Sequence, residues 1–166
     1  MHSSQTLSVD SIHEASHVIL GAYVGGAEIR VILDRGKPRC TFGHHLALPS
    51  LVMSYAGYAG DRLLSQLAEA DCWGRSQSDR GHRQWVLQKM ANPLHGAAFC
   101  AEAERKAFEL VRRFSDEIYE AASVIGHHMT LRSSVSADAI EQLECVIRVR
   151  ALGKAEGETE ARREMK

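Results

Sequence analysis

His13-Glu14-Ala15-Ser16-His17 is an H-E-x-x-H pentapeptide near the start of the chain. Residues four positions apart lie on one face of an α-helix, so in a helix His13 and His17 point two imidazoles at one ion. A neutral imidazole is a good zinc ligand, and Glu14 beside the pair is placed to accept a proton from a water molecule at the metal. The pattern therefore predicts two metal ligands and a catalytic base.

The segment over residues 9–23 is predicted to be the helix that carries this pentapeptide. Apolar residues recur along it at helical spacing, and Ser8 or Asp10 is available as the N-cap. Gly25-Gly26 is a typical helix stop. The helical context argues against the alternative that His and Glu fall in this pattern by chance.

A β-hairpin is predicted directly after this helix. Residues 28–33 and 39–48 are rich in residues that favour strands, and the turn formers of residues 34–38 separate them. The hairpin has two possible roles. It covers the helix or, in a peptidase, it offers an edge strand that pairs with an extended substrate backbone.

The rest of the chain is predicted to be mainly helical. Small residues at Ala56, Gly57, Ala59 and Gly60 permit a close crossing with the first helix. We expect a mainly α domain over residues 1–150, with the small hairpin beside the H-E-x-x-H helix, and a charged, disordered tail over residues 151–166. The predicted helices cover residues 50–70, 78–90, 94–131 with a break near Ser115 or Gly126, and a short stretch after Ser136, while residues 71–77 interrupt the pattern.

Composition and charge limit the classes of function that this chain can have. A chain of 166 residues with 45% hydrophobic and 25% charged residues fits one soluble globular domain. Lys and Arg total 20 against 21 for Asp and Glu, so we expect no nucleic-acid partner. The four cysteines form no C-x-x-C, and we see neither a signal peptide nor a membrane anchor. We therefore expect a cytoplasmic protein without a membrane span.

The third metal ligand is open at this point. Catalytic zinc usually takes three protein ligands, but Tyr23 stands where a third histidine of the extended zincin pattern would be. Glu69 and Asp79 are the acidic candidates. His82, three residues after Asp79, is an alternative ligand or a partner of one, or else a partly exposed histidine.

The other histidines have weaker cases. His44 and His45 point to opposite faces of a strand, so they cannot both bind one ion. Either of them, or His82, is a candidate for stabilising an oxyanion. His127 and His128 are adjacent in a helix and are interpreted as structural.

These segments together resemble the zinc peptidase domain of FtsH, the membrane-anchored AAA+ protease. The pentapeptide is similar to its H-E-A-G-H, and residues 29–43 to its strand, turn and strand. Residues 55–62 resemble its small-residue helix with G-G-R-A-A-E, and residues 74–79 its G-A-x-x-D segment. The resemblance implies a helical zincin-like fold with Asp79 as the third zinc ligand beside His13 and His17.

The implied function is a zinc metalloprotease, an endopeptidase with Glu14 as general base. Three positions depart from the family pattern: Ser16 replaces a glycine, Asp61 stands where alanine is expected, and Tyr58 enlarges the small-residue face. No P-loop is present, so the activity would be independent of ATP and would need short peptides, unfolded segments or a partner that delivers substrates. The resemblance implies no oligomeric state for this chain. The alternatives are a catalytically degenerate binding or regulatory module, and a structural domain in which the pentapeptide is accidental.

Overall fold

The structure, a computed structural model, describes residues 7–43, 47–89 and 96–164. These residues form eight α-helices and one two-stranded antiparallel sheet, which confirms the expected mainly α fold with a small hairpin. The helices are α1 (Val9–Tyr23), α2 (Ala47–Leu63), α3 (Glu69–Arg75), α4 (Gln77–Lys89), α5 (Gly96–Arg113), α6 (Ser115–Thr130), α7 (Ala137–Glu141) and α8 (Glu144–Glu164), and the strands are β1 (Ala27–Asp34) and β2 (Lys37–Gly43).

Helix α1 is the central element of the fold. Every residue from Ser11 to Ala22 is buried, because α2, α5, α6, α8 and both strands pack around the helix. The Ser8 hydroxyl caps its start by accepting a hydrogen bond from the Ser11 amide at 3.1 Å, and Gly25 follows its end with a φ of 82°. The predicted bounds of this helix are confirmed. Its buried polar side chains must find partners inside the protein.

The hairpin is tighter than the sequence indicates. Asp34 pairs with Lys37, so the turn consists of Arg35 and Gly36 alone, with φ values of 51° and 80°. Positive φ at both central residues is the geometry of a type I′ turn. On its other side β1 forms a bridge with Val135, whereas no described residue pairs as a strand with the outer edge of β2.

Two predicted element ends near the hairpin and α2 are corrected. The second strand ends at Gly43 rather than at residue 48, and Leu48 lies in α2; His44 and His45 lie outside the described residues. The helix predicted over 50–70 ends at Leu63, because Gln66 adopts a φ of 55° and turns the chain. The stretch predicted to be irregular over 71–77 is mostly helix α3.

The long helix predicted over 94–131 is two helices. Phe114 separates α5 from α6 with a φ of −109° and a ψ of 27°, which confirms the expected break near Ser115. The buried side chains of Leu110, Ile118 and Ile125 continue one apolar face across the break. Both helices therefore pack against α1.

Residues 151–164, which the sequence predicts to belong to a disordered tail over 151–166, are helical in the structure. Helix α8 passes through the expected boundary and continues to Glu164. Glu156 accepts hydrogen bonds from the Tyr23 hydroxyl at 2.6 Å and from Arg113 at 2.5 Å, so the charged segment is tied to α1 and α5. Good helix formers, Ala, Glu and Arg, make up most of its last turns. Among the described residues no helix is both long enough and apolar enough to cross a bilayer.

Candidate metal centre

The structure brings His13, His17 and Asp79 together in one cluster. Each residue offers a ligand atom, and these atoms lie within 4.8 Å of one another. Asp79 Oδ2 lies 3.5 Å from His13 Nε2 and 3.4 Å from His17 Nε2. The histidines come from successive turns of α1, and the aspartate comes from the first turn of α4.

The two separations between Asp79 Oδ2 and the imidazole nitrogens fit a tetrahedral zinc ion. Zinc bonds to imidazole nitrogen and carboxylate oxygen are about 2.0–2.2 Å long, so two ligand atoms on one ion lie about 3.3–3.6 Å apart. The Asp79 Oδ2 atom is also buried without a hydrogen-bond partner among the described residues. A buried carboxylate oxygen in that state is suited to a cation. The three residues therefore fit the metal that the sequence resemblance implies.

Glycines in α2 create the room for this cluster. A Cβ atom at Gly57 would overlap the His13 imidazole and would lie 2.7 Å from His17 Nε2, and one at Gly60 would overlap the Ser16 hydroxyl. The close crossing of α1 and α2 expected from these small residues is confirmed. Because the backbone of α2 lies directly against both imidazoles, their positions are restricted by backbone rather than by flexible side chains.

Asp61 is a site residue that sequence reasoning missed. Its Oδ2 atom accepts a hydrogen bond from His13 Nδ1 at 2.9 Å, and the side chain is fully buried. Proton donation from Nδ1 leaves His13 Nε2 free for a metal, as in the carboxylate–histidine pairs of zinc sites. The departure from alanine at this position was the available signal, because a carboxylate in a helix of small residues needs a buried partner. Nδ1 of His17 has no such partner among the described residues.

The charges of the cluster shift the pKa values of its members. Burial lowers the pKa of His13, but the hydrogen bond with Asp61 and the nearby Asp79 carboxylate outweigh it and raise the pKa to about 10. Burial also lowers the pKa of His17, and the Asp79 carboxylate more than offsets this. Burial raises the pKa of Asp79, but the two imidazoles lower it by more, so the net shift of this pKa is downward. Without a cation, protons on the imidazoles balance the carboxylates.

Glu14 is buried beside the cluster and is held by β2. Its Oε2 atom accepts a hydrogen bond from the Cys40 amide at 2.5 Å. Burial raises the pKa of Glu14, although the imidazoles of His17 and His13 oppose the shift. A carboxylate with a raised pKa is better suited to take and return a proton near neutral pH than an ordinary glutamate.

A single cleft of about 1160 Å³ contains the cluster and Glu14. Strand β2 lines one side of it with Pro38, Cys40 and Phe42, and helices α3 and α4 line the other. The cluster therefore lies in a cleft whose lining includes residues of β2, α3 and α4.

The remaining sequence candidates lie outside the cluster. The Glu69 carboxylate accepts a hydrogen bond from Trp73 Nε1 at 3.3 Å, and it does not belong to the cluster of His13, His17 and Asp79. His82 lines the cleft, with its ring 5.9 Å from those of both Phe42 and Trp85. His128 bonds Ser133 at 2.9 Å and has a local structural role.

Comparison with known proteins does not identify a family for this chain. The chain matches no protein-family model, and a search of curated proteins finds no match. The case for a function therefore depends on the geometry of the cleft and on the pattern of the sequence.

Proposed function

We propose that this protein is a zinc-dependent endopeptidase of zincin-like type. The observation that carries the proposal is the convergence of ligand atoms from the buried His13 and His17 and the partly buried Asp79, with the Glu14 carboxylate in the same cleft. The outer edge of β2, with which no described residue pairs as a strand, borders that cleft, so a place for the metal, a base and a place for a peptide backbone occur together.

The chemistry needs a metal and a base. Zinc, when bound, supplies a Lewis acid that polarises a carbonyl and lowers the pKa of water to about 7. Glu14 accepts the proton of the attacking water and then donates it to the leaving amine, since the raised pKa of its carboxyl suits both steps. The Cys40 amide keeps this carboxylate in the cleft through Oε2.

The outer edge of β2 is suited to bind an extended peptide. The Cys40 amide points into the cleft, and strand alternation places the backbone groups of Phe42 on the same edge. Main-chain hydrogen bonds to such an edge recognise backbone rather than sequence. The expected substrates are peptides or unfolded protein segments, offered alone or by a delivering partner.

We place the activity in the cytoplasm. All four cysteines, Cys40, Cys72, Cys100 and Cys145, are free thiols. Free thiols are typical of reducing compartments, where disulfides are rare. The nearly balanced charge of the chain gives no reason to expect a nucleic-acid partner.

A catalytically degenerate binding module is the second candidate. One observation favours it, namely that the Cys40 amide already occupies the Glu14 carboxylate. This hydrogen bond opposes the rise in the pKa of Glu14 and so weakens the carboxylate as a base. The cleft then binds an extended peptide without cleaving it.

Metal content and peptide cleavage together test the proposal. We expect about one zinc per chain by mass spectrometry in the wild type, and loss of that zinc in His17→Ala and Asp79→Ala. Glu14→Gln should retain zinc and lose cleavage of a fluorescently labelled unfolded protein, because only the base is removed. A wild type that binds no zinc when zinc is supplied contradicts the proposal. Zinc binding without wild-type cleavage favours the binding module.

A further inference from the structure

Arg75 joins two carboxylates that belong to two different helices. Its Nε atom donates to Asp61 Oδ2 at 3.1 Å, and its Nη2 atom donates to Asp10 Oδ1 at 2.6 Å. Asp10 lies in the first turn of α1, one turn before His13, and Asp61 lies near the end of α2. A planar guanidinium can hold two carboxylates in a defined geometry, which a lysine ammonium cannot do equally well.

The Asp61 carboxylate needs this cation. Asp61 is fully buried, and its Oδ2 atom receives both the His13 Nδ1 hydrogen bond and the Arg75 Nε hydrogen bond. A histidine that binds a metal through Nε2 is neutral, so it brings no charge to Asp61. Among the described residues, Arg75 is then the cationic side chain that contacts this buried carboxylate.

Arg75 also lies next to the segment that carries the third candidate ligand. It is the last residue of α3, and only Ser76 separates it from α4. Asp79 lies in the first turn of α4, four residues after Arg75. Contacts of Arg75 with α1 and α2 therefore restrict where α4 begins, and with it the position of Asp79.

We propose that Arg75 is a positioning residue that sets the zinc affinity of the cluster without contacting the metal. Through Asp61 it orients the His13 imidazole, and through the chain it places Asp79. This inference rests on the proposed zinc site. It goes beyond that site because it makes the zinc affinity depend on Arg75, a residue that lines the cleft and does not contact the metal.

The test is the zinc dissociation constant of the full chain, measured by competition with a chromophoric chelator. Removal of a group that orients a metal ligand typically costs 10- to 100-fold in metal affinity, and we expect a loss in that range for Arg75→Met. Arg75→Lys should recover part of the lost zinc affinity. The lysine keeps the positive charge, but it cannot hold the Asp61 and Asp10 carboxylates in the same geometry. Arg148→Met is the control, since Arg148 pairs with Glu120 at 2.9 Å on the surface formed by α6 and α8.

Two further measurements separate positioning from a general effect on folding. The visible spectrum of the Co²⁺-loaded protein reports ligand geometry, and we expect it to change in Arg75→Met but not in Arg148→Met. Asp10→Asn alters only the half-exposed end of the network, so it should fold and bind zinc several-fold more weakly.

The outcomes keep the two proposals apart. Wild-type zinc affinity in both Arg75→Met and Asp10→Asn, with an unchanged Co²⁺ spectrum, overturns the role of Arg75 and leaves the zinc site standing. A lower melting temperature of the metal-free Arg75→Met protein with an unchanged dissociation constant also overturns it. A wild type that binds neither zinc nor Co²⁺ overturns the proposed function and this inference with it.

Discussion

Asp61 Oδ2 and His13 Nδ1 are 2.9 Å apart across the crossing of α1 and α2. This contact selects the tautomer of His13 and turns its Nε2 atom toward Asp79. The two residues are 48 positions apart in the chain, so the crossing itself creates the pair. A glycine-lined helix that carries one buried carboxylate thus both admits the imidazole and orients it.

The first prediction concerns Asp61. Asp61→Asn keeps an acceptor for His13 but removes the charge, and we expect zinc affinity to fall about 10-fold, with a larger fall in Asp61→Ala. Chelator competition measures both. Asp71→Asn, an exposed residue on the cleft wall, is the matched control and should bind zinc as the wild type does. Equal affinity in all three variants would remove Asp61 from the site.

The second prediction concerns Gly57. In Gly57→Ala the new methyl group would overlap the His13 ring and approach His17, so both imidazoles must move or the helices must separate. We expect zinc binding to be lost and the free energy of unfolding to fall by about 1–3 kcal/mol. Gly74→Ala is the control, because a Cβ there meets nothing within 4 Å. A zinc-binding Gly57→Ala protein of normal stability would contradict the packing described for α1 and α2.

The third prediction concerns pH. The pKa of His13 is raised from 6.5 to about 10, so at pH 7 a metal must displace its proton. We expect zinc binding to release at least one proton at pH 7 and to tighten as the pH rises toward about 10. Calorimetry in buffers of different ionisation enthalpy measures the release. His82→Ala should release the same number, and binding without proton release would be inconsistent with the cluster.

The same shift has a consequence for the metal-free protein. Because the folded-state pKa of His13 lies above its unfolded value, this group stabilises the fold fully below about pH 6.5, and the contribution disappears as the pH rises through about 10. Denaturant titrations of chelator-treated protein at several pH values should therefore show a loss of stability toward alkaline pH. Zinc should oppose that loss, since it replaces the protons.

The fourth prediction concerns α8. A Cβ at Gly153 would overlap the Tyr23 carbonyl oxygen and lie 3.1 Å from Tyr23 Cα, whereas one at Gly157 meets nothing within 4 Å. Gly153→Ala should cost about 1–3 kcal/mol of unfolding free energy. Gly157→Ala should add up to about 1 kcal/mol, because alanine is the better helix former. Thermal and urea unfolding measure the stability of both variants. Equally small effects of the two substitutions would contradict the docking of α8 and would favour the disordered tail expected from the sequence.

Local signals were sufficient for the elements that depend on neighbouring residues. The Ser8 cap, the helical spacing of apolar residues and Gly25 define α1, and turn formers locate the hairpin. Capping, periodicity and turn chemistry act over a few residues, so they can be read without the fold. The same local signal placed His13 and His17 on one helix face.

Long-range contacts were needed for the rest. The residues alone left Glu69 and Asp79 both open as acidic ligands, and the resemblance favoured Asp79. In the structure, α4 packs against α2 and Asp79 lies beside the histidines. Asp61 gains its partner through a helix crossing, and α8 gains its docking contacts from Tyr23, more than a hundred residues away. The free energy of a buried charge or a close backbone contact depends on which surfaces meet, and no local pattern encodes that meeting.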